Sequence, residues 1–179
     1  SKLVPWNSGF DLGALPDYDA LRTTARRCGE IIENNDMLLS FHPDYWCRLA
    51  SDDAETRAAS VTAIEYHADW FALLGLDATP YYGINVHIGA TYGDKAATAE
   101  RFREAVAELS PQARAHLTVE NDDKPSLWGV SELVDAVEGT GVPVLFDYHH
   151  HSFTDRELTY REGFDLAAET WGEVPPATH

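Results

Sequence analysis

Four short apolar runs constrain this fold more than anything else in the chain. They fall at residues 37–41, 81–89, 117–120 and 142–148, and each is apolar on one face only. In an extended strand successive side chains point to opposite faces. Leu38, Ser40 and His42 therefore lie opposite Leu39 and Phe41, and Gly83, Asn85 and His87 lie opposite Ile84 and Val86. His116, Thr118 and Glu120 oppose Leu117 and Val119, while Val144 and Phe146 form the apolar pair of the last run. Stretches of helical periodicity separate the runs, at 17–32, 56–74, 96–109, 127–137 and 156–170. In the second of these, Val61, Ile64, Ala68, Phe71 and Leu74 make one stripe. Gly75, and Gly139 or Gly141, stand where helix C-termini want glycine, and Asp94 is placed to cap a helix start. Strand–helix–strand alternation predicts right-handed crossovers and a parallel sheet. Strands with one greasy and one polar face predict an α/β fold, a (β/α) TIM barrel with its chemistry at the C-terminal rim. The 179 residues read as a single domain, 1–179. No glycine-rich phosphate loop follows a strand, which argues against dinucleotide binding.

The inward residues at the strand ends are His42, His87, Glu120 and Asp147. Three histidines, His149, His150 and His151, follow soon after, and His179 closes the chain. Imidazole and carboxylate without thiolate suit Zn, Mn or Fe rather than a structural cysteine site. Glu120 has candidate ligands on both sides and is the natural bridge between two ions, an arrangement suited to phosphodiester hydrolysis. Tyr45 and Trp46 follow His42 over the rim, as lid packing or as a platform for a base. The stretch 121–124 (Asn-Asp-Asp-Lys) either orients ligands or forms a solvated loop. His67 reads as packed, His116 receives no function, and Cys28 and Cys47 read as reduced, buried thiols.

Thirteen basic against 30 acidic residues give a net charge of −17, and only Lys2, Lys95 and Lys124 are lysines. By itself this balance argues against non-specific binding to nucleic acid. An acidic, lysine-poor surface fits either an ordinary acidic protein or one from a high-salt cytoplasm, where screening removes self-repulsion. No apolar run approaches a membrane span and no signal peptide opens the chain, so a prokaryotic cytoplasmic location is expected.

Several motifs together resemble the UV damage endonucleases. They are His42-Pro43-Asp44, Ile64-Glu65-Tyr66-His67, His87-Ile88-Gly89 with Tyr92-Gly93-Asp94-Lys95, Leu117-Thr118-Val119-Glu120-Asn121-Asp122-Asp123, and Phe146-Asp147-Tyr148-His149-His150-His151. The resemblance implies an endonuclease IV-like TIM barrel with a cluster of divalent metal ions, commonly Mn, with Zn or Mg as others. It implies nicking of damaged double-stranded DNA 5′ of UV photoproducts and other lesions, by a monomer that needs no membrane. It makes His42, His87 and Glu120 the ligands of one ion, Glu120, Asp147 and His179 those of a second, and assigns His150 to a third. Glu120, His87 and Asp147 would carry catalysis. Tyr45 and Trp46 would probe the lesion, with Lys95 and Lys124 contacting DNA. The family's eight strands do not fit here, so the matched runs correspond to strands three to six of a partial barrel. Residues 1–6 would end strand two and 177–179 begin strand seven, with the first and last strands absent. This chain departs from the pattern in having Ala177 for a lysine, Tyr45-Trp46 for glutamine plus an aromatic, and Gly9 for a histidine. The competing expectations are a xylose-isomerase-like sugar isomerase or epimerase, and an inactive truncated barrel.

Overall fold

The structure, a computed structural model, describes residues 11–179. The expectations for residues 1–6 and Gly9 lie outside the described residues. Three parallel strands, β1 (Ile84–Val86), β2 (Leu117–Glu120) and β3 (Val144–Leu145), stand in the order β1-β2-β3. Ile84 is paired with Leu117, and Val119 with Val144. Single parallel bridges extend this sheet at both edges, Phe41 to Ile84 and Thr178 to Phe146. Five chain segments therefore run side by side in sequence order, with helices between them.

The expected strands are shorter than the apolar runs, for physical reasons. Residues 37–40 form no ladder with the described residues; pairing is confined to Phe41, which bonds Gly83 and Asn85. In the last run Pro143 has no N–H to donate, and Asp147 turns the chain into a helix. The helices are α1 (Tyr18–Asn34), α2 (Ala54–Leu74), α3 (Lys95–Glu108), α4 (Pro111–His116), α5 (Val130–Ala136), α6 (Tyr148–His151) and α7 (Tyr160–Glu169). Their starts follow from caps. Asp53 accepts from the Thr56 N–H and Asp94 from that of Ala97, as a first turn with orphan donors requires. Thr159 and Glu162 cap reciprocally, which moves the start of α7 four residues beyond the expected 156. α4 has no counterpart among the expected helices, although Ser110 before Pro111 is a start signal. His116 belongs to this helix rather than to the inward strand face: it is fully buried and stacks on Phe71 at 4.4 Å.

The core lies between sheet and helices. Ile84, Val86, Leu117, Val119, Val144 and Phe146 meet Phe71, Phe102, Val106 and Leu133 there. Gly29 lets α1 cross the end of α2, because a β-carbon would sit 2.0 Å from the Leu74 carbonyl oxygen. Gly75 ends α2 in the left-handed conformation at φ 85°. The expectation of two buried thiols is half corrected. Cys47 is buried and its thiol is pushed up to about 12 by desolvation, but Cys28 is exposed on α1. Among the described residues no helix is long and apolar enough to cross a membrane.

Candidate metal centre

Parallel pairing puts the ends of five segments on one rim. His42, His87, Asp147 and His179 each follow the last paired residue of their segment (Phe41, Val86, Phe146 and Thr178), and Glu120 is the last residue of β2. Their side chains converge on Glu120, which is 2% exposed. Its Oε2 lies 3.7 Å from His42 Nε2 and 3.0 Å from His179 Nδ1, and its Oε1 lies 4.0 Å from His87 Nε2. His150, one turn into α6, brings Nδ1 to 3.2 Å from Oε1. Two triads each offer one ligand atom per residue within 4.8 Å of the others: His42, His87 and Glu120, and Glu120, Asp147 and His179.

A surrounding layer of donors and acceptors sets the chemistry of these candidate ligands. The His42 Nδ1–H donates to the Pro43 carbonyl at 3.1 Å, and the His150 Nδ1–H to the Asn121 carbonyl at 2.9 Å. A carbonyl only accepts, so in each neutral ring Nδ1 carries the proton and Nε2 keeps the lone pair a cation needs. His87 Nδ1 lies 3.4 Å from Asp122 Oδ1, which leaves Nε2 facing Glu120. The Asn85 amide donates to Glu120 Oε2 and is itself held by the Thr118 hydroxyl at 3.1 Å. Asp147 Oδ1 accepts the His150 backbone N–H at 2.7 Å.

Burial shapes the protonation of the centre. Desolvation, with the neighbouring imidazoles, holds His87 below its ordinary value despite Glu120. Burial lifts Asp122 to about 6. At Asp147 burial opposes the charged form, but the His150 N–H and imidazole, the Glu120 side chain and the His149 N–H together outweigh it and keep the carboxyl below the usual range. Among the described residues no lysine or arginine pairs with Glu120. A buried carboxyl group ringed by imidazole nitrogens, with no basic side chain beside it, is a donor set that fits a divalent metal.

The remaining site candidates are placed differently. Tyr45 is 88% exposed at the rim beside His42, while Trp46 is half-buried against the core and lines a cavity of about 680 Å³ with His42, Tyr66, His67 and His87. Lys124 is exposed and lines an adjoining cavity with Asp44, Tyr45 and His150. Lys95 stands apart from the centre. Its ammonium donates to the Leu127 carbonyl at 2.6 Å and pairs with Glu132 at 2.5 Å, joining α3 to α5. His151 turns into the core, where it bonds the Leu158 carbonyl. His67 packs edge-on against Phe41 at 5.2 Å. The stretch 121–124 is split: Asn121 and Asp122 are buried, whereas Asp123 and Lys124 are exposed. Sequence reasoning missed Asn85 as a partner of Glu120. Its one signal was an amide on the inward face two residues before His87.

Acid sensitivity follows from this burial. His67, His87 and His116 are all held below the ordinary histidine value, chiefly by desolvation. Their neutral forms belong to the native state, so the unfolded chain takes up protons first. Their stabilisation is complete above about pH 6.5 and is lost as pH falls below it. Asp122, lifted to about 6, works in the opposite direction over the same range, so the test uses the metal-free Asp122→Asn chain in high salt, whose midpoint should drop between about pH 7 and 5. An unchanged midpoint would contradict the assignment.

Comparison with known proteins agrees with this geometry. Residues 1–178 match the family model "UV-endonuclease UvdE". The chain is 31% identical over 156 residues to the UV DNA damage endonuclease of Bacillus cereus strain G9842, covering 86% of this chain and 48% of the relative. It thus spans about half the length of the curated relatives it matches. The crystal structure of SacUVDE superposes with a TM-score of 0.84 at 28% identity, covering 95% of this chain and 56% of that one. Endonuclease IV from Thermus thermophilus superposes at 0.62 with 19% identity, covering 98% and 61%, a likeness of fold alone. The parallel segments described above are accordingly part of a TIM-type barrel. A family match over nearly every residue, on a rim that gathers four imidazoles and two carboxylates, leads to one assignment: this chain belongs to the UV-endonuclease UvdE family.

Proposed function

We propose that this chain acts as a metal-dependent DNA repair endonuclease that cleaves the backbone of damaged duplex DNA on the 5′ side of UV photoproducts and other lesions. The observation that carries the proposal is the buried Glu120 between two ligand triads, in a chain of this family. His42, His87 and Glu120 would hold one divalent ion, and Glu120, Asp147 and His179 a second, with Mn as the favoured metal and Zn or Mg as others. Bound there, such ions supply Lewis acidity that polarises the phosphodiester and stabilises charge on the phosphoryl and leaving oxygens. The residues do the rest. Asn85 orients the Glu120 carboxylate, and the Asp122 carboxyl lies 3.4 Å from His87 Nδ1 while Nε2 faces Glu120. His150 keeps its Nε2 lone pair free because Asn121 takes the Nδ1 proton as a hydrogen bond. Tyr45 offers a base an exposed aromatic face at the mouth of the site, and base–aromatic stacking is worth about 1–3 kcal/mol.

The test is metal-dependent nicking of ultraviolet-irradiated supercoiled plasmid, with unirradiated plasmid and a chelator as controls. Equal nicking of both plasmids would contradict lesion recognition. Conversion of a ketose panel without nicking would favour the sugar isomerase reading.

A net charge of −17 opposes approach to DNA, and the bound cations would supply the positive charge locally. The acidity fits a chain that works as a monomer in a high-salt cytoplasm. Its thermal midpoint should then keep rising as KCl goes from about 0.1 M to molar, where the Debye length is about 3 Å. A flat midpoint would return the surface to that of an ordinary acidic protein.

A further inference from the structure

We infer that Asn121 is a positioning residue that builds one half of the metal centre, and that without its amide the chain keeps one ion and binds the other more weakly. The inference rests on the metal-centre reading above. Backbone pairing between β2 and β3 ends with Glu120 opposite Leu145. Beyond that point the Asn121 side chain continues the ladder. Its Oδ1 accepts the Asp147 backbone N–H at 2.8 Å, and its Nδ2 donates to the Asp147 carbonyl at 3.0 Å. The Asn121 backbone carbonyl, one peptide away, accepts from His150 Nδ1 at 2.9 Å. One buried residue thus grips both Asp147 and His150. The other edge of the same segment is held near Asp147 by backbone bonds, from His179 N–H to the Phe146 carbonyl and from Tyr148 N–H to the His179 carbonyl, and further back by the Thr170 hydroxyl and Trp171 indole at Val144.

This arrangement acts on one triad and not on the other. Asp147 and His179 hang from the segment that Asn121 secures, whereas His42 and His87 follow Phe41 and β1, and His42 is bonded to the Pro43 carbonyl. An amide suits the position because it must accept from an N–H and donate to a carbonyl at once. Aspartate could serve the N–H but would set a carboxylate oxygen against the Asp147 carbonyl.

The test is a Mn²⁺ or Co²⁺ titration of the whole chain, followed by elemental analysis after dialysis and, for Co²⁺, by its visible absorption. Wild type should hold two ions. Asn121→Ala should retain one with unchanged affinity and bind the other about 10- to 100-fold more weakly, the usual effect of removing a group that orients ligands. Asn121→Asp keeps the side-chain volume and the acceptor, and should show a smaller loss at the same ion if the alanine variant fails to fold. Adding His42→Ala to either variant should remove the retained ion. Unchanged affinities, or equal weakening of both ions, would overturn the role of Asn121. A wild-type chain that takes up no ion would instead overturn the metal centre itself, and the inference with it.

Discussion

Replacing Glu120 by glutamine should empty both triads and abolish nicking while leaving the fold intact. Glu120 contributes to each triad, so one substitution removes a charged ligand from both. Charge stabilisation by bound metal is worth several kcal/mol, and each 1.4 kcal/mol is about tenfold in rate, so activity should fall by about a thousandfold or more. Stability should move the other way. Without metal, the native chain holds an acidic side chain almost fully buried with no basic side chain beside it among the described residues, and a neutral amide of the same size removes the cost of placing charge there. The metal-free Glu120→Gln chain should therefore melt higher than the metal-free wild type. Unchanged metal content would remove Glu120 from the site; a lower midpoint would show that its charge is compensated by protein groups.

Phe71→Ala should strongly destabilise the fold from a position outside the ligand set. Phe71 is fully buried on α2 and packs against Phe41 at 4.8 Å, His116 at 4.4 Å and Tyr82 at 6.3 Å. Truncation in such surroundings costs about 3–5 kcal/mol, against a total stability on the order of 5–15 kcal/mol. For a chain of this size that is a fall in the melting midpoint of roughly 6–20 °C. Phe41 immediately precedes His42, so the cavity should also loosen one ligand of the first triad and leave Asp147 and His179 alone. A loss below about 1 kcal/mol would mean that the surrounding rings close over the gap.

The strand periodicities were legible because a sheet with helices on one side leaves a two-residue alternation that survives in the chain. That alternation put Asn85, Thr118 and Glu120 on the inward face, where the structure has them buried and polar. It misled at His116, because a strand pattern continues smoothly into residues that a Ser110–Pro111 cap has already committed to a helix. It also overstated strand lengths, since apolar character says nothing about whether a neighbouring N–H or carbonyl is within reach. Lys95 shows the same limit for charge. The family resemblance makes Lys95 a DNA contact, and only the packing of α3 on α5 gives it Glu132 and the Leu127 carbonyl as partners.

What the sequence by itself determined is therefore the inventory: which residue types end each strand, that they are imidazoles and carboxylates, and that they share one rim. Parallel pairing makes that follow, because strands running the same way present their C-terminal ends together. Tertiary structure alone decided the second layer, in which Asn85 orients Glu120, Asp122 faces His87 and Asn121 grips Asp147. Those partners lie 26 to 35 residues apart along the chain. No local periodicity records such a distance, because hydrogen bonds between strands depend on register in space and not on spacing in sequence.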